Sequence, residues 1–126
     1  VAETFVKTSA LKSDTVFSTS GSFKQLYSSS VAIADSVIDM SKSNNFTKTL
    51  SANQRFVFAN TVEGQVVNVA VTNTASNYTV NWIDSDNCTI KWNYGTAPVQ
   101  TIGAKTDLYS FIRIGTTIYG TAIQNF

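Results

Sequence analysis

The run DSDN at 84–87 places two carboxylates, Asp84 and Asp86, one residue apart, followed at once by the single thiol of the chain, Cys88. Two carboxylates flanking a glycosidic bond suffice for glycoside hydrolysis, and a thiol can act as a nucleophile. Neither reading survives its surroundings. The chain contains no histidine, so the Ser-His-Asp and Cys-His arrangements and histidine-containing zinc sites are excluded. Asp and Asn are favoured in turns because their side chains bond the local backbone, and DSDN reads as such a hairpin turn. The same run opens like an acidic calcium loop but lacks the downstream Gly and bidentate Glu. A lone cysteine in a strand-like run is expected to be a small buried hydrophobe.

The glycines fall singly at turns, with neither GxGxxG nor GxxxxGK[ST], so no phosphate cradle is expected. The sequons at Asn45, Asn77 and Asn87 are no more than 17 Thr, 15 Ser and 11 Asn produce by chance. No catalytic residue, metal ligand or cofactor is therefore assigned.

The aromatics are the remaining candidates. Trp82, Trp92, Tyr94, Tyr109 and Tyr119 could supply a platform for sugar rings. Trp82 and Trp92 keep register with Val80 and Ile90, which points to the core. Tyr94 lies in the loop stretch KWNYGTAPV (91–99), where a ligand contact and a plain turn role are both open. Tyr94, Trp92 and Tyr119 are the candidate glycan or partner contacts.

The elements that must position these residues are strands. Hydrophobic residues make up 43% of the 126, mostly Val, Ile, Phe and Tyr, whereas long helix formers are scarce. Alternating runs recur about every ten residues: FTKTL, RFVFA, QVVNVAVT, YTVNWI, CTIKW, VQTI, LYSFIRI and IYGTAI. Turn clusters separate them, and Gly115 marks the last one. No amphipathic helix is available as a crossover, so the spacing predicts an all-β, antiparallel β-sandwich or jelly-roll-like domain over 36–126. Residues 1–35 read as an N-terminal arm or peripheral strands, with short strand-like runs at 15–17 and 23–27.

Charge is sparse and nearly balanced, nine Lys plus Arg against eight Asp plus Glu, so neither nucleic acid nor an anionic membrane surface is an expected partner. No apolar run long enough for a membrane helix and no leader pattern is found, and a soluble protein is expected.

The second half, FTKTLSANQRFVFANT, YTVNWI, IKWNYGTAP and TDLYSFIRIGTTIYG in that order, resembles the C-terminal β-rich domain of bacteriophage virion structural proteins. These include tail-fibre, appendage and capsid-decoration types. The likeness spans about residues 36–126. It departs where the family has KWPGGTAP and this chain has Asn93 and Tyr94 in place of Pro and Gly. The resemblance implies a non-enzymatic virion protein, a homotrimer exposed on the particle surface as a capsid decoration or cement subunit or a tail appendage. Its partners would be itself and other virion proteins, such as the major capsid protein or tail components. The alternative is a tail-fibre module that binds a host receptor or surface glycan.

Overall fold

The computed structural model describes residues 28–126. The strand-like runs expected at 15–17 and 23–27, and most of the expected arm, lie outside the described residues.

The described residues hold nine strands in chain order: β1 (Val31–Ala32), β2 (Val37–Asp39), β3 (Asn45–Thr49), β4 (Gln54–Ala59), β5 (Val66–Thr72), β6 (Val80–Trp82), β7 (Thr89–Trp92), β8 (Thr106–Ile114) and β9 (Thr117–Ile123). The class is all-β, as the composition requires. The strands form a six-stranded sheet, β1-β3-β5-β8-β9-β7, and a three-stranded sheet, β2-β4-β6.

Strand direction corrects the expectation of an antiparallel domain. The pairs β1–β3, β3–β5, β7–β9, β2–β4 and β4–β6 run parallel. Among the described strands antiparallel pairing is confined to β5–β8 and β8–β9. Parallel neighbours need a crossover, which is usually a helix. Here a strand of the opposite sheet serves instead, because β1 to β7 alternate between the two sheets. Each connection is thus an arch between layers. The run at 84–87 joins β6 in one sheet to β7 in the other, so it is an arch rather than the expected hairpin.

Alternation along each strand gives each sheet an inner face. Phe56 and Phe58 of β4 and Trp82 of β6 point inward from the small sheet. Val67, Val69 and Val71 of β5, Tyr109 and Phe111 of β8 and Ile118 of β9 meet them from the large sheet. The layers join through aromatic rings: Trp82 stands 4.8 Å from Tyr109 and 4.9 Å from Phe111, and Phe58 lies edge-on to Phe111 at 5.0 Å. Such pairs add about 0.5–1.5 kcal/mol each beyond the area they bury. The β8–β9 hairpin closes with Gly115 at φ 62 in the first central position of a two-residue turn.

The expected strand at VQTI does not form. Residues 99–102 form a strap held through side-chain hydrogen bonds rather than a strand ladder. Thr101 N–H donates to Asp107 Oδ2 at 2.7 Å, and the buried Gln100 donates from Nε2 to Val71 O at 3.1 Å. Asn73, also buried, ties the neighbouring loop. Its Oδ1 accepts from the Thr74 and Tyr78 N–H groups, and its Nδ2 donates to Tyr78 O and Thr101 O.

Candidate functional site

The two turn aspartates are occupied by the backbone. Asp84 Oδ1 accepts from Ile90 N–H at 2.8 Å. Asp86 Oδ2 accepts from Thr61 N–H at 2.8 Å and also from the Thr61 hydroxyl, and these bonds hold its carboxyl below the usual carboxylate range. Asp86 and Asn87 both adopt positive φ, the left-handed conformation that Asp and Asn tolerate best among residues with side chains. Arg113 completes this end of the molecule, donating from Nη1 to Thr61 O at 2.8 Å and from Nε to Gly115 O at 2.9 Å. The pair expected as a turn device acts as one: it pins the 60–65 loop and the start of β7. Among the described residues no group of three or more His, Cys, Asp or Glu is placed to hold a metal ion. Cys88 is buried.

The aromatic candidates separate by position. Trp82 is buried, and Trp92 is half-buried beside it, 5.9 Å away with the rings at 62°. Trp82 belongs to the core cluster and Trp92 packs against it, as their register predicts. Tyr94 is the opposite case. It sits in a short 3₁₀ turn at Asn93–Gly95 with φ 64, and 96% of its surface is exposed. A bulky residue in left-handed backbone costs about 1–2 kcal/mol relative to glycine, and no burial offsets it at this position.

The structure does not gather the three candidates into one platform. Tyr119 lies on the outer face of the large sheet, half-exposed, in a groove of about 590 Å³ with Val66, Lys91, Asn93 and Ile112. Tyr94 lines a second depression of about 370 Å³ with Thr96, Pro98 and Gln124. Trp92 contributes an edge to both.

Sequence reasoning passed over two features. Gly120, core-facing on β9, leaves the space into which Trp92 and Phe111 fit: a Cβ there would meet Phe111 Cε1 at 2.8 Å and Trp92 Cζ3 at 2.9 Å. Asp107, fully buried on β8, receives Thr101 N–H, Asn125 N–H and Gln124 Nε2. Asp107 alternates in step with core-facing Tyr109 and Phe111 in TDLYSFIRI, and that was the signal for the second, because a buried charge requires donors.

No family model, no curated protein and no solved structure matches the chain. Among the described residues no helix is long and apolar enough to cross a membrane.

Proposed function

We propose that the chain is a non-enzymatic structural subunit of a bacteriophage virion, a homotrimeric capsid-decoration or tail-appendage protein exposed on the particle surface. The observation that carries this reading is the ordered series of sequence blocks from FTKTL to IYG, which spans about residues 36–126 in the order of the phage domain it resembles. Two structural features are in keeping with it. The acidic residues that could nominate a catalytic pair, Asp84 and Asp86, are engaged as backbone acceptors. Among the described residues the two sheets also end at β1, β7, β2 and β6, and sheet edges are surfaces that neighbouring subunits can cover.

The test is localisation on purified particles by mass spectrometry and by density reconstruction. The expected result is density on the particle surface with local threefold symmetry. Absence of the protein from purified particles overturns the reading.

The exposure of Tyr94 supports a second reading, a host-glycan contact. A side chain held in the open by unfavourable backbone fits a contact role better than a packing role. Tyr94→Gly relieves the backbone and removes the ring. Under this reading it keeps or raises stability while abolishing adsorption to host cells or glycans, whereas unchanged adsorption removes the reading.

A further inference from the structure

The end of the molecule at which β8 begins is held by one carboxylate. Asp107, fully buried, accepts from Thr101 N–H of the strap at 2.7 Å, and from Gln124 Nε2 and Asn125 N–H of the tail at 3.0 and 2.9 Å. Gln124 Nε2 also donates to Val99 O at 2.6 Å, which ties tail to strap directly. The tail continues the β8–β9 ladder: Leu108 is in register with Ile123, and Thr106 and Phe126 exchange backbone bonds at 3.0 and 3.1 Å. Three residue steps of the tail thus oppose two of β8, a bulge that Asn125 accommodates at φ 73.

With the polar groups drawn inward to this carboxylate, the apolar side chains beside them are left outside. Val99 is 82% exposed, Ile102 69%, Ile123 62% and Phe126 64%. Each is bonded to, or next in sequence to, a residue that binds Asp107, so all four belong to one end of the molecule. At roughly 150–200 Å² per fully exposed residue of this size, they show on the order of 500 Å² to solvent, and the largest apolar patch of a typical monomer is about 300–600 Å². Tyr94 and Pro98, which share the adjoining depression with Gln124, extend the surface towards the ~800 Å² per partner of a standard interface. Charge indicates the partner. Residues 92–104 and 114–126 carry no charged side chain, so this end can face its own copy without like-charge repulsion and offers no ion pair to a charged partner.

We propose that this end, formed by Val99, Ile102, Ile123 and Phe126, is the self-association surface of the chain, and that its occupant is the same end of a second copy. Copies that meet through one patch around a common axis close the assembly and leave no apolar surface open. This surface goes beyond the virion reading, which names an oligomer but no contact. Its test uses the purified chain, so its failure leaves localisation on particles untouched, and absence from particles leaves the surface standing.

Sedimentation velocity of the full chain over a concentration series tests it. The variants are Val99→Lys with Ile102→Lys on the strap and, separately, Ile123→Lys on β9. Val62→Lys is the control, exposed beside Thr61, which Arg113 binds at the other end of β8. The native chain is expected to associate, and each patch variant to raise the dissociation constant at least about tenfold while the control leaves it unchanged. Urea midpoints report whether each variant is folded. A native chain that is monomeric at every concentration overturns the proposal. Association that persists unchanged in the folded patch variants, or that falls equally in the control, overturns it too. Should a Lys variant fail to fold, bismaleimide cross-linking of Ile102→Cys decides, since the native Cys88 is buried. Copies linked at Ile102→Cys but not at Val62→Cys support the surface; no linkage, or equal linkage at both, overturns it.

Discussion

The Tyr109 hydroxyl donates to Gln100 Oε1 at 2.8 Å, and both residues are buried. This bond fastens the 99–102 strap to β8, and burial pushes the Tyr109 hydroxyl well above its ordinary range, with the charge of Asp107 adding to the rise. The phenol is therefore a donor at every working pH. Tyr109→Phe keeps the ring and its contact with Trp82 but strands a buried amide oxygen, a loss of about 1–3 kcal/mol. A urea unfolding midpoint that shifts down with an unchanged m-value is the expected readout. An unshifted midpoint shows that the bond contributes nothing in solution.

Gly120 is required by its neighbours rather than by its backbone. A methyl group there comes within 3 Å of ring atoms of both Phe111 and Trp92, so Gly120→Ala forces rigid aromatic rings to move. The expected cost is about 1–3 kcal/mol, measured by thermal or urea unfolding. In a Trp92→Leu background, which opens space on one side, the same substitution costs less. Equal costs in both backgrounds would show that the ring contact is not the cause.

Acid is predicted to weaken the fold through buried and bonded carboxylates. Burial alone would raise the Asp107 carboxyl, but the bonds from Thr101, Gln124 and Asn125 outweigh it and leave it below the usual value. Asp39 is lowered to about 2 by hydrogen bonds from the Asn60 side chain and from Ser41. A carboxyl whose folded pKa is depressed contributes its full stability above the unfolded value, near 3.8. That contribution is lost as pH falls through the folded value. With no histidine in the chain, stability varies little between about pH 5 and 7 and declines below about pH 4. Asp107→Asn is less stable at pH 7 and shows a shallower acid decline. A decline as steep as that of the native chain would move the acid sensitivity elsewhere.

Class, strand positions and inner faces were legible in the sequence, because alternation is a local property of the chain. QVVNVAVT became β5 with Val67, Val69 and Val71 inward, and Trp82 went to the core with Val80 half-buried against it. VQTI was misread because its alternation matched a strand, while its bonding partners, Val71 O and Asp107, lie far off in the chain or on its other side. The turn role of Asp84 and Asp86 was legible, since Asx residues bond nearby backbone, although Thr61, the partner of Asp86, was not.

What the sequence alone determined is a set of amphipathic strands, punctuated by turn residues, with no histidine chemistry. Which strands pair, and in which direction, is a non-local choice. The same alternating strand can lie beside its predecessor as a hairpin or arch across to the other sheet, and the pattern of side chains is identical in both cases. Packing decided it: Trp82 buries its ring against Tyr109 and Phe111 from the opposite layer, and the alternation of successive strands between layers leaves β1–β3, β3–β5, β2–β4 and β4–β6 parallel. The same folding separated Tyr94 from Tyr119, two residues that composition alone had grouped into a single aromatic surface.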